Sequence, residues 1–384
     1  MSAVIIDACR TAIGRAHPER GVFRDVRSDD LAVHLVRTLV ERTGVDPTAV
    51  EDVILGCTQQ QGEQGLNVGR LVAIMAGLPF TAAGASVNRL CGSSLQALNQ
   101  AVHAIAAGAE DVQIVGGLEH MHHFPMDAGI DINPALFHRT SKAALMMGVT
   151  AEFLAQTGGI SREDQDAFAL ASHQKAVAAY DAGRLQAEIV PTWGRDESGE
   201  RALISRDQCV RADTSLEALA SLKPAFMPKI GTVTAGNSSP LNDGTAALLV
   251  MSEQRAKDLG LTPMARVLAT AVAGVEPCVM GTGPVPATKK ALKRAGLKLA
   301  DIDLIELNEA FAAQALACAR ALELDLDRVN VNGGSIAIGH PLGASGARIA
   351  TTLLHAMADR DASLGLATMC IGAGQGIATV FERF

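Results

Sequence analysis

Leu39–Cys57 reads LVERTGVDPTAVEDVILGC, and Ala291–Asn308 reads ALKRAGLKLADIDLIELN. In the first stretch a helix end meets the stopping Gly44, an acidic turn follows, and the apolar strand Val53–Leu55 closes the unit. The second keeps that order with Gly296, an acidic turn and a strand at Leu304–Glu306, and one residue of slippage aligns the two. Further out, Val87-Asn88 leads through a glycine-containing turn into a helix near 92–107 and an apolar strand at 112–116. Val331-Asn332 leads likewise through Gly339–Gly346 into a helix near 346–358 and a strand near 363–370. Strand, turn, helix and strand thus recur in two halves, at about 30–120 and 265–384. Strands alternating with helices predict parallel sheets covered on both faces, so the fold class is α/β. Two such halves packed together predict a layered pseudo-dimer.

The stretch from about 118 to 235 does not fit the repeat. It predicts one amphipathic helix at about 161–182, with Ser161 as N-cap, Glu163 and Asp164 in the first turn and Gly183 past the end. An insertion at the end of a core strand is where open α/β sheets bind ligands.

Composition narrows the classes. The chain has 384 residues, 48% of them hydrophobic, which is too apolar for a disordered chain and long enough for two or three domain-sized units. Lys+Arg 33 against Asp+Glu 41 gives a net charge of -8 with no block of like charges, which argues against a nucleic-acid surface. A polyanionic small molecule stays open, because a local patch matters more than the sum. Seven cysteines without a CxxC predict free thiols in a reducing cytosol, and MSAVIIDACRTAIGR places its arginines after the apolar run, the reverse of a secretory signal. Leu71–Asn88, Leu90–Ala109 and Ala362–Phe381 lack formal charge over 18 to 20 residues. Glycine, proline and polar interruptions make them read as deeply buried elements of a large core, not membrane spans.

Four constellations carry candidate chemistry. In Asn88-Arg89-Leu90-Cys91-Gly92-Ser93-Ser94 a cysteine stands at a strand-to-helix junction, where unsatisfied helix N–H groups would depress its pKa. Cys91 is there either a nucleophile or a buried structural thiol. Asn332–Arg348 surrounds His340 with glycines and fixes the backbone after it with Pro341, which favours a functional histidine over a core one. Cys370-Ile371-Gly372-Ala373-Gly374-Gln375-Gly376 ends an apolar strand on a thiol. Its glycines either turn backbone amides toward a cavity or form a plain hairpin. In Glu306–Gln314, Asn308 is either an N-cap or a holder of water or an oxyanion.

Other signals point nowhere. His120-Met121-His122-His123 lacks zinc-ligand spacing and reads as a solvated loop, and no metal site is expected. The spaced glycines at 372, 374 and 376 are not a dinucleotide fingerprint, and no Walker A or GxSxG sequence occurs. Cys9, Cys57, Cys209, Cys278 and Cys318 read as small core residues.

Taken together and in order, VNRLCGSS, GTVTAGNSS, NEAFAAQ, GHPLGASGAR and CIGAGQG resemble the thiolase family over essentially the whole chain. The surroundings of CGSS and LEHM are most similar to the bacterial 3-ketoacyl-CoA thiolase branch, the β subunits of fatty acid oxidation complexes. The resemblance implies a layered αβαβα fold from two duplicated halves, 1–117 with 236–264 and 265–384. It also implies a loop domain at 118–235 that covers coenzyme A. Cys91 would carry the acyl group and His340 would take its proton. Cys370 would serve as acid and base, with oxyanion sites from His340 with Asn308 and from the N–H groups of Cys91 and Gly372. Ser239 matches a pantetheine contact, Arg211 a residue near the nucleotide, and Met147, Met280 and Phe311 pocket-lining positions. Pro240 and Met146 depart from the family pattern and touch only CoA contacts and chain length.

The resemblance further implies coenzyme A as a substrate with no tightly bound cofactor, a cytoplasmic enzyme of fatty acid β-oxidation, and a homodimer or tetramer. It also points to association with a hydratase/dehydrogenase α subunit. The rivals are a biosynthetic acetoacetyl-CoA thiolase, a decarboxylating ketosynthase, against which the second thiol argues, and a non-catalytic acyl-lipid carrier.

Overall fold

A computed structural model describes residues 2–384. The first half runs β1 (Ala3–Arg10), the short β2 (Gly14–Arg15), α1 (Ser28–Thr43), β3 (Asp52–Gly56), α2 (Val68–Ala76), β4 (Ala85–Val87), α3 (Ser93–Ala107) and β5 (Val112–His120). A long excursion follows with α4 (Met147–Thr157), α5 (Arg162–Asp181), β6 (Thr192–Arg195), β7 (Arg201–Ile204) and α6 (Leu216–Ala220). The first half then closes with β8 (Asn242–Ser252) and α7 (Glu253–Asp258). The second half runs β9 (Ala265–Gly274), α8 (Pro284–Ala295), β10 (Leu304–Leu307), α9 (Ala312–Leu322), α10 (Ser345–Asp359), β11 (Leu364–Ile371) and β12 (Gln375–Arg383).

Strand order exposes the duplication. The first half pairs in the order β4-β3-β5-β8-β1 and the second in the order β10-β11-β12-β9. In both, the early pairs are parallel and the later ones antiparallel: β3 is parallel to β4 and β5, and β10 is parallel to β11. The blocks join where Val4 faces Arg266 and Ile5 faces Ala265. The place matching β4 is held in the second half by a single parallel bridge between Ile305 and Val329. Val331-Asn332 therefore forms no strand. Asn330, with φ of 48°, uses its side chain instead, accepting from Leu307 N–H at 2.9 Å and donating to Leu307 C=O at 2.9 Å. A side chain thus supplies the bonds that an edge strand would have made.

Three apolar clusters lie between five layers. Leu35, Val36 and Leu39 of α1 and Val72 of α2 pack on Val53, Leu55 and Ile114. Ala287 and Ala291 of α8 and Ala315 and Cys318 of α9 pack on Ile305, Leu307 and Val380. The middle cluster holds Leu95 and Leu98 of α3 and Ala350 and Leu353 of α10 against Ile54, Val115, Met369 and Phe381, so it draws on both halves. Val53 and Leu55 point one way and Ile54 the other, the alternation of a strand buried on both faces. The layers read α, β, α, β, α. Gly346 lets the two central helices meet, because a Cβ there would lie 2.4 Å from Leu95 N.

Helix α5 starts at the Ser161 capping box and is followed by Gly183 at φ of 71°, as its sequence signals predict. Ala362–Phe381 is buried in β11 and β12, and Leu90–Ala109 buries the inner face of α3. Leu71–Asn88 is not deeply buried: Phe80 is 81% exposed, with Ile74 and Met75 also exposed. Its strand, β4, pairs only with β3, so the segment lies at the sheet edge with nothing on its far side. Among the described residues no helix is long and apolar enough to cross a membrane.

Candidate active site

The chain leaves the first sheet at His120 and returns at Asn242, with His120 facing Asp243, so the excursion projects from one end of the sheet. That is the carboxyl end of the parallel strands β3, β4 and β5, where α/β sheets place their ligands. The sequence motifs collect there.

The turn after β4 is bent sharply. Leu90 takes φ of 46°, held by Asn88 Oδ1, which accepts from Leu90 N–H at 2.9 Å, and by Ser93 Oγ, which accepts from Arg89 N–H at 2.9 Å. A left-handed leucine costs about 1–3 kcal/mol. The strain presents Cys91 one residue ahead of the α3 N-cap, Gly92. Arg89 donates to Gln96 at 2.9 Å and across the halves to Gln375 at 3.0 Å, tying this elbow to the β11–β12 hairpin.

That hairpin turns through Ala373 and Gly374, both at positive φ, so the plain-hairpin reading of its glycines holds. Its amides also face the site: the N–H groups of Gly372 and of Cys91 itself act on the Cys91 sulfur. The expected depression of the Cys91 pKa is overturned. With Cys91 only 5% exposed, burial pushes the thiol up to about 11 against the pull of those two N–H groups. Cys370 is also buried and is pushed well above the usual thiol range, first by burial and then by the neighbouring Cys91 and Cys318 thiols. The two candidate sulfurs, far apart in sequence, are thus electrostatic neighbours.

His340 sits after Gly339, whose φ of 126° and whose lack of a Cβ, which would meet the Asn242 side chain at 2.7 Å, seat the loop. Asn242 Oδ1 then accepts from His340 N–H at 2.8 Å. Across the loop, Ala347 N–H donates to Ser94 Oγ at 2.8 Å and locks the histidine segment to the start of α3. Burial, followed by the charge of Arg348, lowers the His340 pKa to about 3, so its ring is neutral. Ser345 Oγ lies 2.5 Å from Nδ1. With Nδ1–H given to that oxygen, Nε2 keeps a lone pair.

Nε2 faces Asn308 Nδ2 at 3.5 Å. The amide is oriented from behind: Ser335 Oγ donates to Asn308 Oδ1 at 2.6 Å, and the buried Arg348 donates to Ser335 Oγ. Asn308 is therefore no N-cap. Helix α9 begins at Ala312, and its N-cap is Phe311. The NH2 group of Asn308 is left to donate toward the histidine.

Two clefts that share Met126 open on this side of the molecule, and the second is lined by Gly372 of the centre itself. One, of ≈ 880 Å³, brings together Arg211, Ser239, Arg15 and His173 with the apolar Leu222 and Phe226. Ser239 N–H donates to Ala310 C=O at 3.0 Å, holding the segment beside Phe311. Phe311 and Met280 are buried with Cys370 in one apolar cluster, and Phe226 meets Phe311 edge-on at 5.9 Å. The other, of ≈ 540 Å³, is lined by Met147, Leu90 and Gly372. Met126 lines both.

Comparison with known proteins fits this geometry. The thiolase N-terminal domain matches residues 3–254 and the thiolase C-terminal domain residues 261–383. The chain belongs to the thiolase family. It is 57% identical over 384 residues to the 3-ketoacyl-CoA thiolase of Marinomonas sp. (strain MWYL1), covering 99% of this chain and 98% of that protein. It is 56% identical over 386 residues to the 3-ketoacyl-CoA thiolase of Aliivibrio fischeri, covering 100% and 99%. The crystal structure of the Bacillus anthracis acetyl-CoA acetyltransferase superposes with a TM-score of 0.91 at 40% identity, covering 100% of this chain and 99% of that one.

Several contributors to this thiolase site escaped the sequence. Arg15 gives the polar cleft a second cation from a part of the chain with no motif. Ser335 and Ser345 lay inside a quoted motif, but only contact geometry separates them from the glycines around them. The histidine cluster is not a solvated loop: His120 is fully buried, stacks on His123 at 3.6 Å and bonds Phe23 C=O at 3.1 Å. It closes the base of the excursion, where β5 pairs with β8. Among the described residues no group of His, Cys, Asp or Glu is placed to hold a metal ion. Cys9, Cys57, Cys209 and Cys318 are buried, whereas Cys278 is partly exposed beside Glu276.

Proposed function

We propose that the chain is a degradative 3-ketoacyl-CoA thiolase that cleaves 3-ketoacyl-CoA with coenzyme A to acetyl-CoA and a shortened acyl-CoA. The observation that carries this reading is the approach of two buried thiols from different halves, with a backbone N–H of the second strand turn directed at the first sulfur. Carbon–carbon cleavage needs a nucleophile that attacks a ketone and later leaves as a thioester, and sulfur does both.

In this reading, the Cys91 sulfur bonds to the C3 carbonyl carbon as its proton passes to His340 Nε2. The adduct's oxygen takes the N–H groups of Cys91 and Gly372. Collapse restores the carbonyl, breaks the C2–C3 bond and expels acetyl-CoA as its enolate, whose oxygen is held by Asn308 and His340. Cys370 gives its proton to C2 of the enolate. In the second half, the Cys370 thiolate takes the proton of incoming coenzyme A. Its sulfur attacks the Cys91 thioester, and Cys91 leaves and recovers a proton from His340. Coenzyme A is a substrate throughout. An apolar pocket suits Cys370, because it destabilises the thiolate against the thiol and so brings the thiol's acidity closer to that of the carbon acid it exchanges a proton with.

The segment 118–235 serves as the loop domain over coenzyme A, between core parts 1–117 with 236–264 and 265–384. Arg211 and Arg15 favour the anionic end of the cofactor-sized substrate, and Ser239 its pantetheine arm. The relatives at 56–57% identity carry the name 3-ketoacyl-CoA thiolase, which supports cleavage, whereas the acetyl-CoA acetyltransferase at 40% identity carries the name of the rival reading; the same groups run both directions. The test is incubation with a 3-ketoacyl-CoA and mapping of the acyl group by peptide mass. An acyl group on the Cys91 peptide and release of acetyl-CoA are expected. An acyl group on any other residue sinks the reading.

A homodimer completes the proposal, formed at the edge strand β4. Leu66, 87% exposed, and Phe80 leave apolar surface beside unpaired strand bonds, which a second copy would cover. Sedimentation should give a dimer for the wild type and a monomer for Phe80→Glu; an unchanged dimer places the contact elsewhere. Co-purification with a hydratase/dehydrogenase α subunit would test its place in a β-oxidation complex, and cell fractionation its cytoplasmic location.

A further inference from the structure

The hydrogen bonds behind Asn308 run in one direction only. A guanidinium carries donors and no acceptor, so the Ser335 hydroxyl accepts from Arg348 Nη2. Its own O–H is then left to donate, and Asn308 Oδ1 lies 2.6 Å away. The amide is thereby forced to turn its oxygen to the serine and its NH2 to His340. Ser335, Arg348, Asn308 and His340 are all buried. The guanidinium is otherwise thinly compensated: Glu306 Oε2 stands 3.4 Å from Nη1, and Nε meets no partner among the described residues. A charge held out of water by so few bonds is costly, which points to a task beyond stability.

We infer that Ser335 is a positioning residue that keeps the Asn308 amide from inverting during carbon–carbon cleavage, with Arg348 fixing the direction of the serine's proton. This rests on the thiolase reading and deepens it. At rest the NH2 of Asn308 faces the lone pair of His340 Nε2 at 3.5 Å. Once Nε2 has taken the Cys91 proton it is itself a donor, and two donors face each other. An unrestrained amide would turn over and offer Oδ1 to Nε2–H, placing a carbonyl oxygen where the enolate oxygen must sit. With Ser335 in place that inversion sets NH2 against a hydroxyl whose acceptor side Arg348 already occupies, so a buried donor loses its partner. Nδ2–H and Nε2–H therefore stay aimed at the enolate oxygen together.

The effect is confined to one bond-breaking step. From acetoacetyl-CoA, the Cys91 sulfur bonds to C3 and the C2–C3 bond breaks. Its electron pair passes to the enolate oxygen, and Cys370 supplies the proton to C2. From acetyl-CoA, the same sulfur bonds to the thioester carbon, the carbon–sulfur bond breaks and the pair stays on the CoA sulfur. Both routes give acetyl-Cys91, but only the first makes an enolate.

The experiment measures the rate of Cys91 acetylation from each donor at saturation, by rapid quench and intact mass. Ser335→Ala should slow the acetoacetyl-CoA route by about 10- to 100-fold, approaching the loss of one oxyanion donor, and the acetyl-CoA route by no more than about 3-fold. In an Asn308→Ala background the added loss from Ser335→Ala should shrink to within about 2-fold, because the serine acts only through the amide. Equal loss by both routes overturns the inference, as does a serine effect that persists at full size without Asn308, since a packing role produces either. A Ser335→Ala enzyme as fast as the wild type from acetoacetyl-CoA overturns it too. Failure of the wild type to acetylate Cys91 from either donor would instead remove the thiolase reading.

Discussion

Given acetyl-CoA, Cys91→Ala should gain no acetyl group and turn over at less than about 10⁻⁴ of the wild-type rate, whereas Cys370→Ala should be acetylated and still fail to turn over. Removal of a covalent nucleophile costs on the order of 10⁶-fold in an enzyme whose catalytic groups act as a unit. The N–H groups of Cys91 and Gly372 both act on the Cys91 sulfur, the oxyanion site of the proposed mechanism, whereas the Cys370 sulfur has its own N–H. Cys370 lies in the apolar cluster with Met280 and Phe311, an environment that favours a neutral thiol able to donate and then recover a proton. Acetyl transfer in the direction from acetyl-CoA to Cys91 needs Cys370 only to protonate the departing coenzyme A, which leaves as a stable thiolate without that help. Carbon–carbon cleavage does need it. Mass measurement of the intact protein reads the first step, and acetyl-CoA release from a 3-ketoacyl-CoA reads the whole cycle. Full turnover by Cys370→Ala would reassign that residue.

The second large effect concerns proton removal from Cys91. His340 has its pKa lowered to about 3, so the protonated ring is disfavoured and the base is available at every pH from about 5 upward. The Cys91 thiol, raised to about 11, keeps its proton over the same span. On the proposed roles no resting thiolate–imidazolium pair is expected, and the proton should move during attack. Acetylation by the wild type in a single turnover should therefore be flat between about pH 5.5 and pH 9. A limb near the ordinary histidine value of about 6.5 would show that His340 meets water. His340→Ala should lose about 10²–10⁴-fold near neutrality, the range of general base catalysis. Its remaining rate should then climb about tenfold per pH unit toward pH 11, because only equilibrium ionisation is left to supply the thiolate.

Each half of this thiolase is legible in the sequence because the signals are local. The stopping Gly44 and Gly296 and the cap at Ser161 act within a few residues, and α3, α5 and α10 form close to their expected bounds. The misreadings share a cause. Leu71–Asn88 has the composition of a core, but β4 is an edge strand, and among the described residues no strand pairs on its outer side. His120 sits in a polar-looking run, yet the pairing of β5 with β8 carries it inside. The missing strand after Ile305 was replaced by one asparagine side chain, a choice no propensity encodes.

The sequence by itself determined which segments become strands and helices, that they occur twice, and which residue types stand at their carboxyl ends. Only the tertiary structure decided that the elbow at Cys91 and the hairpin at Gly372 touch, through Arg89 and Gln375, and that the Cys91 thiol is raised instead of lowered. The physical reason is range. Periodicity, caps and turns are settled by neighbours along the chain, whereas desolvation and the meeting of two halves depend on atoms hundreds of residues away, which enter the balance only after the layers have packed.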